Sequence, residues 1–178
     1  MHKTIFRIAG VAAIAALAAG CNSAKTDNCP NVAAILDASS LVVAKEGTAP
    51  DPANVLYSVQ LVDVKGKCDY EKKKRTADDS LTITFRATRS PTGDAAQYAA
   101  PYFVGVTEGD DRVLSREQFT VPFAFAPGQA SVTFTDSVPS VFVQAGKDKQ
   151  PYDYQILVGL VITKGQLEYN KTKGLYGQ

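Results

Sequence analysis

Leu81-Thr82-Ile83-Thr84-Phe85-Arg86-Ala87-Thr88 is the stretch that decides the fold class. Leu81, Ile83, Phe85 and Ala87 fall on one side of an extended chain, and Thr82, Thr84, Arg86 and Thr88 on the other. A period of two, with β-branched polar residues opposite apolar ones, marks a strand with one face in a core and the other in water.

The same rhythm continues on both sides. Val55, Tyr57, Val59 and Leu61 alternate with Leu56, Ser58, Gln60 and Val62. Phe119, Val121, Phe123 and Phe125 place aromatics on a single face, and Pro122 among them, with no N–H for a ladder, predicts an edge strand. Val132 and Phe134 follow the turn Ala126-Pro127-Gly128-Gln129. Tyr154, Ile156, Val158, Leu160 and Ile162 form the longest run, and Leu157 and Val161 on its other face predict a central strand covered on both sides. Turns are read at Lys65-Gly66-Lys67, at the Asp78-Asp79 doublet, at Pro91-Thr92-Gly93-Asp94, at Glu108-Gly109-Asp110-Asp111 and at Gln144-Ala145-Gly146-Lys147. Seven or eight short strands at this spacing predict an all-β antiparallel sandwich. Tyr152-Asp153-Tyr154-Gln155-Ile156 resembles the late strand of immunoglobulin-like and fibronectin-III-like domains, where a Tyr enters the core near a sheet corner. The chain has no Trp, so the resemblance is to that class in its broad sense.

Two segments have helical character. Residues 31–41 carry Val32, Ile35 and Leu36 at helix-like spacing and read equally as a first strand. Thr163-Lys164-Gly165-Gln166 fits a capping box, predicting a short C-terminal helix through Leu167 and Tyr169.

The N-terminus has a different character. His2, Lys3 and Arg7 precede the apolar run Ile8 to Ala19, which ends in Ala18-Ala19-Gly20-Cys21. A basic start, a short apolar core and small residues at its end form a secretory signal. As a helix the run would span about 18 Å, too short for a hydrocarbon core of roughly 30 Å. The segment resembles the lipobox of bacterial lipoproteins, with Gly20 and Ala19 before the Cys and Ala18 where the family favours Leu. That resemblance implies cleavage between Gly20 and Cys21 and lipid, including fatty acyl chains such as palmitate, on Cys21. It also implies outer-membrane sorting, because Asn22 rather than Asp follows the Cys. The expected organisation is a signal over 1–20, a lipidated start and polar tether over 21–28, and a sandwich domain over 29–178. The domain would face the periplasm, with surface exposure left open.

Loss of residues 1–20 leaves 158 residues of the 178, enough for one core. Lys3 and Arg7 leave with the signal, so 17 basic residues face 18 acidic ones and the formal charge is −1. Such balance argues against nucleic acid as a partner. Two cysteines remain, Cys29 and Cys68, and in an oxidising compartment a disulfide between them is the expected outcome. The alternative, a metal or redox pair, lacks a CxxC spacing. The single histidine, His2, is lost with the signal, so triads built on His are excluded.

Carboxylates are the remaining catalytic option. Glu108, Asp110 and Asp111 cluster in one expected turn and Asp78 and Asp79 in another. Calcium could bind the former, although the ligand spacing of a calcium loop is missing; a solvated turn is the simpler reading. The run Lys72-Lys73-Lys74-Arg75 is a candidate surface for anionic lipid, lipopolysaccharide phosphate or an acidic partner, set against a charged loop that keeps a strand end soluble. Cys29-Pro30, Cys68 with Tyr70, Arg89-Ser90-Pro91, Tyr102-Phe103-Val104, and Val158-Gly159 running into Gln166–Asn170 also resemble a group of uncharacterised proteobacterial lipoproteins. The expectation is a non-enzymatic envelope lipoprotein: a structural or protein-interaction module held to the membrane by lipid, with an envelope protein as partner and no cofactor or metal. The alternatives are a module binding envelope glycan or lipopolysaccharide and, further off, a carboxylate-only hydrolase.

Overall fold

The computed structural model describes residues 28–48, 53–90, 93–109 and 112–173. Eight strands form two sheets of four. One sheet has the order β1 (Asn31–Ala34), β8 (Tyr154–Leu160), β5 (Ala96–Glu108), β6 (Arg112–Phe125); the other runs β2 (Ser40–Ala44), β3 (Val55–Glu71), β4 (Thr76–Thr88), β7 (Ser131–Gln144). Every ladder is antiparallel except that of β1 with β8.

The alternation read from sequence is the one that builds the core. Leu81, Ile83, Phe85 and Ala87 of β4 point inward, as do Tyr57, Val59 and Leu61 of β3. A run of rings bridges the sheets: Phe123 stacks on Phe134 at 4.6 Å, Phe134 on Phe85 at 5.4 Å, and Phe85 tilts against Tyr102 at 5.3 Å. Offset aromatic contacts of this kind add to the apolar area they bury. Pro122 lies in β6, an edge strand, as its missing donor requires. β8 is central, and at Gly159 its outer face is closed by Phe103 and Ala38, whose carbons stand 2.9 and 3.0 Å from where a Cβ would sit. Tyr154 is buried, and its hydroxyl accepts the Gly146 N–H at 3.0 Å.

Residues 31–41 resolve into neither a single helix nor a single strand. β1 gives way to a 3₁₀ turn over Leu36–Ala38, and the chain then enters β2 in the other sheet. The Ser39 hydroxyl donates to the Leu36 carbonyl at 2.7 Å and closes that crossover. The expected C-terminal helix, α1 (Lys164–Lys173), is present with its capping box formed. The Gln166 N–H donates to the Thr163 hydroxyl at 3.2 Å, and the Thr163 N–H donates to the Gln166 side-chain oxygen at 2.8 Å. Gln166 and Asn170 then donate to the Val42 and Ser40 carbonyls at 3.0 and 2.7 Å, docking α1 on β2.

Two expected turns are strand instead. β3 runs unbroken through Lys65-Gly66-Lys67, pairing them with Thr82, Leu81 and Ser80. Gly66 serves close approach rather than turning: a Cβ there would lie 2.8 Å from Val32 Cγ2 of β1. Asp78 and Asp79 lie inside β4, paired with Asp69 and Cys68. The true hairpin turn is the basic run, residues 72–75, where Arg75 adopts φ 53°.

Candidate functional site

Three features converge toward one end of the sandwich, and a fourth lies along its open side. The first is the disulfide. Cys29 and Cys68 are bonded, with Cα atoms 6.3 Å apart. The bond ties the start of the described chain to β3, close to the β3–β4 hairpin.

The second is Asp79. It is opposite Cys68 in the β3–β4 ladder and in phase with the inward residues Ala77 and Leu81, so its carboxyl points toward the interior. Only 1% of it is exposed, and Oδ2 has no hydrogen-bond partner among the described groups. Burial first, then the negative charges of Asp78 and Asp69, push its pKa up to about 6. The residue borders a cleft of about 460 Å³ between β1 and β3, whose walls include Pro30, Val32, Val64, Gly66 and the disulfide. A buried carboxyl raised by desolvation beside a cleft is a feature that often marks function. Sequence reading missed it because the Asp-Asp doublet suggested a turn. The signal that could have found it is the period of two, which carried back from Leu81 puts Asp79 on the core face.

The third is the basic hairpin. Lys72, Lys73 and Lys74 are exposed. Arg75 is held: its guanidinium donates to the Lys147 carbonyl, and its own carbonyl accepts the Ala145 N–H at 3.0 Å. Gln144 donates to the Lys74 carbonyl at 2.9 Å, and the Lys74 ammonium pairs with Glu71 at 3.0 Å. The loop after β7 thereby brings Lys147 beside the tip. Among the described residues, no ion pair engages Lys72, Lys73 or Lys147.

The fourth is the open side formed by the edge strands β6 and β7. Ser115, Arg116, Glu117 and Phe119 of β6 face Val138, Val141 and Phe142 of β7 across a cleft of about 390 Å³. Phe142 is 61% exposed, and Val113 and Leu114 of β6 are 66% and 44% exposed.

Glu108 meets Arg112 at 2.8 Å and Lys149 at 3.6 Å, which makes it an ion-paired end of β5. Its expected companions Asp110 and Asp111 lie outside the described residues, as do Gly20 and Cys21. No group of three or more His, Cys, Asp or Glu is placed to hold a metal among the described residues, and no described helix is long and apolar enough to cross a membrane. No protein-family model, curated protein or solved structure matches this chain.

Proposed function

We propose that this chain is a lipid-anchored, non-enzymatic module of the bacterial envelope that engages another protein through its open β6–β7 side. The observation that carries the reading is the exposure of Phe142, Val113 and Leu114 along two adjoining edge strands. Single exposed apolar residues are ordinary, whereas several exposed along adjoining strand edges, with Phe142 at the cleft between them, favour an interaction surface. An edge strand also offers unpaired backbone groups that a partner's strand can meet.

The anchor rests on the sequence of residues 1–21, and outer-membrane sorting on Asn22. Lipid on Cys21 with at most about 25 Å of tether over residues 22–28 would keep the domain against the bilayer. The absence of any histidine after His2 supports a binding rather than a catalytic role. A photo-cross-linker placed at 113 or 142 in cells tests the reading. Both positions should capture the same protein, and Phe142→Glu should remove the product formed from 113. A cross-linker at Thr82, exposed on the outer face of a central strand, is the control, and equal capture there would overturn the proposal.

A second reading, binding of anionic glycan or lipopolysaccharide, is favoured by one observation: Lys147 joins Lys72 and Lys73 at the hairpin tip. Each cation near an anionic surface contributes about 1 kcal/mol. Reversing Lys72, Lys73 and Lys74 to Glu, while keeping Arg75 for its structural bond, should then abolish retention on lipopolysaccharide.

A further inference from the structure

We propose that the cleft between β1 and β3 binds a small molecule carrying a primary ammonium group on a short apolar stem, with Asp79 as its counter-ion. This inference is independent of the β6–β7 side and of the anchor.

Asp79 carries an unsatisfied buried oxygen. Buried polar groups in folded proteins are hydrogen-bonded, and an orphan among them calls for a missing partner. Asp79 is 1% exposed, Oδ2 is unpartnered, and the residue borders an open cleft of about 460 Å³. Its location compounds the need. It occupies a core-facing position of β4, where the neighbours in the same phase are Ala77 and Leu81. No Lys or Arg pairs with it among the described residues. The charges that act on it most are those of Asp78 and Asp69, both negative. A ligand group that enters must therefore donate, and a positive charge on it is favoured twice, by Asp79 and by the field of its neighbours.

The cleft also selects the shape of the donor. Oδ2 is itself enclosed, and Oδ1 is the oxygen nearest Gly66 at the cleft wall, so a group in the cleft meets one oxygen rather than both. A guanidinium binds a carboxylate best through both oxygens at once, whereas an ammonium is a point donor that one oxygen satisfies. Gly66 helps to admit it. The place its Cβ would take lies 2.8 Å from Val32 Cγ2 and in ordinary contact, 3.5 Å, with Asp79 Oδ1, so a side chain there would occupy the wall of the cleft beside the carboxyl. Beyond the carboxyl the cleft is mixed, with Asn31 on its wall beside Pro30, Val32, Val64 and the disulfide, and the apolar part suits a short stem of a few methylenes.

The test uses the full chain in nonionic detergent micelles with methyl-labelled valines, so that Val32 and Val64 report directly. The chain is titrated at pH 8 with n-butylammonium chloride at constant ionic strength, and separately with n-butanol. Butylammonium should shift both methyl signals saturably, and butanol should bind at least about thirtyfold more weakly, as expected for loss of a buried charge pair. Asp79→Asn should weaken butylammonium by a similar factor. Unmoved Val32 and Val64 signals, equal binding of butanol, or unchanged binding to Asp79→Asn would each overturn the proposal. The butanol comparison is made on the unmodified chain, so it decides the matter even where Asp79→Asn does not fold.

Discussion

Asp79 concentrates the tension between stability and use at a single side chain. Its pKa stands at about 6 against an ordinary 3.8, so folding favours the protonated acid. Between those values the folded chain binds more protons than the unfolded one. Its contribution to stability therefore falls as pH rises through that window and stays low above it. The upper bound on the loss is roughly 3 kcal/mol, from the two-unit separation. Asp79→Asn keeps the shape and removes the ionisation. In urea titrations the variant should gain on the wild type as pH rises from 4 to 7, and the two should converge at pH 4. A difference that is the same at both ends would assign the effect to hydrogen bonding rather than to charge. Tyr102 shows the opposite use of a buried polar group. Burial, and then its 2.8 Å hydrogen bond to Asp136, push the phenol far above its usual range, so it remains a neutral donor that ties β5 to β7.

Strands β1 and β3 meet where Gly66 lies under Val32, and the consequence of filling that space can be stated in advance. Gly66→Ala would drive a methyl to 2.8 Å from Val32 Cγ2, forcing β1 outward. The expected cost is about 1–3 kcal/mol, with faster amide exchange confined to β1 and its partners in β8. Uniform loss of protection would instead mean that β1 unfolds only with the whole domain. Gly66 also shows why some elements were legible in the sequence and others were not. The strand around Phe85, the edge role of Pro122 and the capping box at Thr163 each depend on chemistry within a few residues. Gly66 is set by a partner distant in sequence, Val32, whereas Asp79 lay within the period of two that runs back from Leu81 and was masked by the turn-like Asp-Asp doublet. Local turn chemistry at Lys-Gly-Lys and Asp-Asp consequently pointed the wrong way, and the actual turn fell on a basic run with no Gly or Pro. Residues 31–41 were ambiguous for a related reason, since a chain changing sheets carries neither period for long. At the other end, Asn170→Ala would leave the Ser40 carbonyl without its 2.7 Å donor. A loss of about 1–3 kcal/mol is expected, read as detachment of α1 before the sandwich melts.

For the molecule as a whole, the disulfide decides where force and orientation enter. β1 is only four residues long and pairs with β8 alone, so its ladder is a weak hold on the chain's start. Cys29–Cys68 transfers that hold to β3, whose long ladder with β4 reaches from Ser58 to Glu71. If the proposed anchor is present, a pull transmitted through residue 29 would load the β2–β3–β4–β7 sheet directly, at the end that carries the basic hairpin. Bonding residues 39 apart in sequence should stabilise the fold by about 4 kcal/mol through the entropy of the unfolded chain. Replacing both cysteines by Ser should lower the denaturation midpoint accordingly while leaving the Phe85, Phe123 and Phe134 stack intact, since those rings lie on strands the bond does not touch. The sharper expectation concerns locality. In the native state, amides of β1 should lose protection by far more than those of β4 and β7, because only β1 depends on the bond for its place. If protection falls equally across both sheets, the disulfide stabilises the domain globally rather than holding β1 in place.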